Sequence, residues 1–169
     1  KIMTAIIALE NGNLDQIMTA SPEAVYDIGK DGMNIGIMPG EEIRMENLLE
    51  ALLISSANET ANIIAENICA TRKEFVDLMN KRARELGAVN THFENPCGAH
   101  DDNHYTTASD MAKIARYAMT IPKFREIVAK TQYIMPSTNK HKDWPVLATS
   151  NKLLWREPTE LFRVNGIKT

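Results

Sequence analysis

Long apolar runs, paired cysteines and blocks of like charge are all missing from this chain, and each absence removes a class of protein. The longest apolar stretches, at residues 2–9 and 48–54, fall far short of the roughly twenty residues that cross a bilayer. No signal-peptide pattern is present, so a leader or anchor is expected only in segments outside these residues. Cys69 and Cys97 are the two cysteines, which allows one disulfide at most. Their spacing matches no metal site built from cysteine pairs, and two unpaired small apolar residues are expected. Lysine and arginine form no stripe that could follow a phosphate backbone, and the net charge is -3, so nucleic acid is excluded as a partner. Repeats, low-complexity tracts and linkers are also absent. What remains is 169 residues, 44% of them hydrophobic, enough to form the core of one domain or of its larger part.

The apolar spacing is mostly helical. Residues 1–10 place Ile2, Ile6 and Leu9 on one stripe, with Ala5 and Ala8 beside it and Asn11-Gly12 to close the helix. Ser21-Pro22 reads as an N-cap with proline at the first helical position, opening a short helix towards Ile28. Residues 29–40 are glycine-rich and end in Pro39-Gly40, which predicts a loop or short hairpin. From Met45, Leu48, Leu49, Leu52 and Leu53 recur at helical spacing, with Glu46 and Glu50 assigned to the polar side. A second helical pattern uses Ala61, Ile64, Ala65 and Ile68, and the break between the two falls at Ser55-Ser56-Ala57-Asn58, where side chains compete for backbone bonds.

Thr71 is the expected cap of a long helix ending at Gly87, and residues 90–105 read as an ordered loop. Thr107 or Ser109 caps a further helix, and Pro122 begins a short one. Residues 131–135 and 161–169 carry strand-like side chains, separated by irregular chain around Pro136, Pro145 and Pro158.

Three short elements carry candidate chemistry. Ser56-Ala57-Asn58 sits at the helix break, where a hydroxyl and an amide could enter one cleft; taken alone, it reads more simply as a pair of capping residues. Lys168-Thr169 places a cation and a hydroxyl side by side on a strand-like end, where alternate side chains face opposite ways. Lys1 begins an apolar helix, and a helix dipole disfavours a cation there and lowers its pKa.

Their order and context are more specific than any one of them. The chain resembles the serine D-alanyl-D-alanine carboxypeptidases, low-molecular-mass penicillin-binding proteins, over essentially its whole length. That family builds its site from S-x-x-K at a helix start, S-x-N at the end of a helix and K-T-G on a strand. Lys1 is similar to the last residue of the first motif, Ser56-Ala57-Asn58 to the second, and Lys168-Thr169, after Asn165-Gly166-Ile167, to the first two residues of the third. Leu86-Gly87-Ala88, Asn90-Thr91-His92-Phe93, Asn95-Pro96, Gly98, His104-Tyr105-Thr106-Thr107-Ala108 and Asp110-Met111-Ala112 resemble a long stretch between those motifs. Cys97 and Ala99 are the departures, Ala99 standing where a larger aliphatic residue is common.

The resemblance implies a fold class that is mainly α as given: the helical part of the α/β serine β-lactamase and DD-peptidase fold, with the sheet-forming chain ends missing. Residues 1–169 would form a partial domain, with the nucleophilic serine three positions before Lys1. The complete enzyme would cut the terminal D-Ala-D-Ala bond of peptidoglycan stem peptides through an acyl-serine, would be blocked by β-lactams, and would work outside the cytoplasmic membrane without a cofactor or metal. The chain alone is expected to be inactive. Lys1 would act as base, although the base in this superfamily is disputed. Ser56 would relay a proton, Asn58 would position Lys1 and the substrate, and Lys168 with Thr169 would hold the terminal carboxylate.

Two other readings differ in kind: an inert module that grips stem peptides, and a serine β-lactamase, which Ser56-Ala57-Asn58 disfavours where those enzymes often carry S-D-N. His100 and His104 read as loop residues, not as a metal face. Trp144 and Trp155 are expected to pack irregular chain, and the nine methionines to fill the core.

Overall fold

The computed structural model describes residues 1–30, 32–155 and 166–168. Within them, α1 (Ile2–Asn11) is the hub, packing against α3 (Met45–Ile54), α4 (Asn58–Ile68), α5 (Arg72–Glu85), α6 (Ala108–Ala118) and α7 (Pro122–Val128). Residues 2–8 are buried without a polar face, which suits a helix surrounded on all sides and not one lying on a surface. Ala5 and Ala8 let neighbouring helices approach closely, and the one hydroxyl, on Thr4, donates to the Pro96 carbonyl at 2.5 Å.

Helix starts follow the sequence reading. Ser21 caps α2 (Pro22–Tyr26), Thr71 caps α5 and Thr107, not Ser109, caps α6, each accepting from the N–H three residues on. At the far end of α5, Ala88 N–H returns to the Ala83 carbonyl, so the chain turns at Gly87 as expected.

Helix α3 departs from the reading. Glu50 lies inside, 1% exposed, where Lys130 from the segment after α7 reaches its carboxylate. Glu50 therefore belongs to the buried face, and burial raises its carboxyl pKa against the pull of Lys130. Asn47 is turned inward as well, accepting from the Tyr133 hydroxyl at 2.8 Å. Heptad-like spacing locates the apolar stripe, but it cannot register a later segment folding over the polar side.

Strand content is small. β1 (Ile17–Thr19) and β2 (Glu42–Arg44) pair antiparallel, with Met18 opposite Ile43 and both buried. β2 runs directly into α3, whose first N–H groups donate to the carbonyls of Gln16 and Leu14. Residues 131–135 contain β3 (Gln132–Tyr133), paired antiparallel with β4 (Leu147–Ala148), and a 3₁₀ turn spans Lys152–Trp155. The strand-like end at 161–169 lies outside the described residues except for 166–168, and Thr169 lies outside with it. Trp144 packs as expected, its ring 4.2 Å from that of His141, which in turn bonds the buried carboxylate of Glu41 at 2.9 Å. No helix among the described residues is long and apolar enough to cross a membrane.

Candidate active site

Lys1 stands at the N-terminus of α1, half-buried, and its Nζ donates to the Cys97 carbonyl at 2.7 Å. Burial drives its pKa below the ordinary lysine value, while the nearby Cys97 and Glu59 pull the other way. Burial thus acts in the same direction as the helix dipole that the sequence pointed to.

The carbonyl that holds Lys1 is fixed by a loop with little freedom. Asn80 on α5 donates to the Phe93 carbonyl at 2.9 Å and accepts from Phe93 N–H at 2.8 Å, both buried. Asn95 accepts from the N–H groups of Gly98 and Ala99, at 2.7 and 2.9 Å, which turns the chain at Cys97. Asp110, 1% exposed, accepts from Asn90 N–H at 2.7 Å and from the Thr91 hydroxyl at 3.1 Å. The Lys113 ammonium and these donors keep its carboxyl below the usual range. The ordered loop at residues 90–105 is thus a support for Lys1. Its three histidines go separate ways: His92 bonds the Glu94 carboxylate at 2.9 Å, His100 is exposed beside Asp102, and His104 meets the Phe93 ring edge-on at 5.5 Å.

Between α3 and α4 the backbone reverses sharply. Ser56 takes φ 65, a left-handed conformation that costs a non-glycine residue about 1 kcal/mol or more. Its hydroxyl makes no hydrogen bond among the described residues. Asn58 begins α4 facing the glycine-rich loop: its Nδ2 donates to the Ile28 carbonyl at 2.8 Å, and its N–H to the Met33 carbonyl at 2.7 Å. Lys1 Nζ bonds Cys97 and not Asn58, so the direct Lys1–Asn58 contact expected from the motif is not formed here. Gly32 makes the loop's approach feasible, because a Cβ there would lie 2.1 Å from the Ile28 carbonyl oxygen and 2.8 Å from Asn58 Nδ2. A cavity of about 310 Å³, walled by Gly29, Gly32, Asn58, Gly98 and Ala99, opens beside it.

Lys168 completes the group. Gly166 lies so close to the Val128 carbonyl that a Cβ would come within 2.0 Å of its oxygen, and this contact seats residues 166–168 at the end of α7. Burial first and the Lys1 ammonium second push the Lys168 pKa down to about 8. Two lysines 167 positions apart are therefore electrostatic neighbours. A larger groove of about 500 Å³, between α5 and residues 92–96, contains none of these side chains.

Sequence reasoning missed Glu59 and Asn80, and it met Asp110 only within the resemblance, without its supporting role. Each is polar, buried and set on a helix, where periodicity alone reads it as an exposed or capping residue.

Solved structures share this fold. A D-alanyl-D-alanine carboxypeptidase from Mycobacterium tuberculosis superposes with a TM-score of 0.82 at 29% identity, over 93% of this chain and 58% of that one. A point mutant of a Streptomyces DD-transpeptidase matches with a TM-score of 0.82 at 28% identity, over 90% of this chain and 64% of its own. The class is that of the penicillin-binding DD-peptidases, represented here mainly by helices. A family model described as D-alanyl-D-alanine carboxypeptidase matches residues 1–169, and the chain belongs to that family. The curated D-alanyl-D-alanine carboxypeptidase DacF of Bacillus subtilis is 34% identical over 176 residues, an alignment that takes in 100% of this chain and 42% of that protein.

Proposed function

We propose that this chain forms the larger part of the active site of a penicillin-sensitive serine carboxypeptidase that removes the terminal D-alanine from peptidoglycan stem peptides. The observation that carries this reading is that Lys1 and Lys168, from the two ends of the chain, are electrostatic neighbours, both with lowered proton affinity. Lys1 held against a carbonyl is poised to accept a proton, because burial favours its neutral form. A serine supplied three positions before it would transfer its proton to Lys1 Nζ as its oxygen bonds the scissile carbonyl carbon. The C–N bond then breaks, and the departing D-alanine amine takes a proton by way of Ser56. Water repeats the sequence on the ester and restores the serine. Lys168, with Thr169, would hold the substrate's terminal carboxylate by charge-assisted bonds. Asn58 supports the wall of the cleft through Ile28 and Met33, which departs from the direct positioning of Lys1 that the motif implied. β-Lactams would acylate the same serine, and the stem-peptide substrate puts the work outside the cytoplasm.

The test is covalent labelling with a fluorescent penicillin, read by intact mass, on this chain and on the chain continued at both ends. Label on the continued form alone is the expected result; label on neither removes the enzymatic reading and favours an inert peptide-binding module.

A sharper expectation concerns Ser56. Ser56→Ala and Ser56→Gly in the continued protein should each slow acylation and deacylation roughly a hundredfold, the low end for loss of a proton-transfer group. Glycine should also stabilise the fold by about 1 kcal/mol relative to alanine, because it accepts φ 65 without strain. Turnover equal to the unaltered protein would remove Ser56 from the proton path.

A further inference from the structure

Thr4 carries the one hydroxyl in the buried stretch of α1, enclosed with Met3, Ala5, Ile6 and Ile7. A helical threonine commonly bonds a carbonyl of its own preceding turn. Here the carbonyl of that turn, on Lys1, accepts from Ala5 N–H at 2.9 Å. The Thr4 hydroxyl instead leaves the helix and donates to the Pro96 carbonyl at 2.5 Å, 92 positions away. Lys1, three residues before Thr4 and so above it on the same side of the helix, takes the next carbonyl, that of Cys97, at 2.7 Å. Two successive carbonyls of one loop corner are thus gripped from one side of α1.

The grip fixes the backbone on which the Lys1 ammonium rests. The Cys97 carbonyl and the Gly98 N–H belong to one rigid peptide plane. Asn95 Oδ1 accepts from that N–H at 2.7 Å, and the carbonyl on the opposite edge of the plane meets Lys1. The plane before it contains the Pro96 carbonyl, and Thr4 holds that one. With both planes pinned, neither soft dihedral of Cys97 is free to turn. Without the Thr4 bond the first plane can rock and carry the Cys97 carbonyl with it. Lysine has a flexible four-carbon stem, so its Nζ is only as well placed as its acceptor. Asn80 and Asp110 hold the approach to this corner from α5 and α6, at Phe93 and at Asn90. Thr4 acts at the corner itself, from the helix that Lys1 begins.

We propose that Thr4 is a positioning residue of the reaction: by fixing the Pro96–Cys97 peptide it holds the carbonyl that aims Lys1 Nζ. The role rests on the carboxypeptidase reading above, in which Lys1 accepts the serine proton. It predicts a buried hydroxyl that never meets substrate, sets the rate of acylation and leaves substrate binding alone.

The experiment measures the limiting rate of penicillin acylation, and the penicillin concentration that gives half of it, in the protein continued at both ends, unaltered and as Thr4→Val and Thr4→Ser. Valine keeps the branched shape of threonine and cannot donate. Its limiting rate should be lower by roughly ten- to a hundredfold, the scale set by a misplacement of about 1 Å at a reacting group, with the half-rate concentration unchanged. Serine keeps the donor and should restore most of the rate. A merely structural Thr4 would lower the denaturant midpoint of Thr4→Val and leave the limiting rate of the folded protein as it was; that result overturns the proposal alone. Serine as slow as valine overturns it too, because the hydroxyl would then not be what counts. A continued protein that takes no label at all removes the function and this role together. Should Thr4→Val fail to fold, Thr4→Ala takes its place, a smaller side chain of higher helix propensity that equally lacks the donor, and an undiminished limiting rate there overturns the proposal.

Discussion

Replacing Lys1 by alanine in the protein continued at both ends should slow penicillin acylation roughly a thousandfold, within the range that a positioned general base supplies. Folding should be little affected. The side chain is half-buried, and what it contributes is one hydrogen bond to the Cys97 carbonyl, offset by the cost of enclosing a cation. Lys1→Arg should be about as slow as Lys1→Ala, because a guanidinium keeps its charge at every accessible pH and cannot accept the serine proton. Equal acylation by the arginine variant would show that the group at this position acts as a fixed charge and not as a base. The unaltered protein should show a bell-shaped profile. Loss of the Lys1 proton raises the rate, and the profile turns down near pH 8 as Lys168 becomes neutral and releases the carboxylate. A profile still rising well above that point would remove Lys168 from carboxylate binding.

The second large effect is expected far from the chemistry. Asn80→Ala deletes both bonds to Phe93 and leaves a buried N–H and a buried carbonyl without partners. At roughly 1 to 3 kcal/mol for each orphaned group, the loss should be about 3 kcal/mol, read as a lower denaturant midpoint. The same clamp fixes the loop that carries the Cys97 carbonyl, so acylation should fall along with stability. Asn80→Asp provides the control: it can still accept from Phe93 N–H but cannot donate to Phe93 O, and it should land between the two. Stability unchanged in Asn80→Ala would mean that water satisfies both groups, and that the loop is held from Asn95 and Asp110 alone.

Much of this was legible in the chain itself, and for identifiable reasons. Helices announce themselves locally: Leu48, Leu49, Leu52 and Leu53 fix a stripe, while Ser21, Thr71 and Thr107 mark starts that depend only on the next three residues. Lys1, Ser56 and Lys168 were likewise readable as candidates, from their order and context alone. The paired strands at 17–19 and 42–44 were not, because three residues carry too little periodicity to be told from loop.

Local spacing and residue type were enough for the family, the helical frame and the candidate residues of the reaction. Tertiary structure alone decided how they cooperate. It placed Lys168 beside Lys1, bonded Lys1 to Cys97 and not to Asn58, turned Asn58 to the loop at Ile28, and drew Glu50 and Glu59 inside. Proton affinity and hydrogen-bond partnership depend on what lies within a few ångströms, and those neighbours come from distant parts of the chain, out of reach of any pattern confined to adjacent residues.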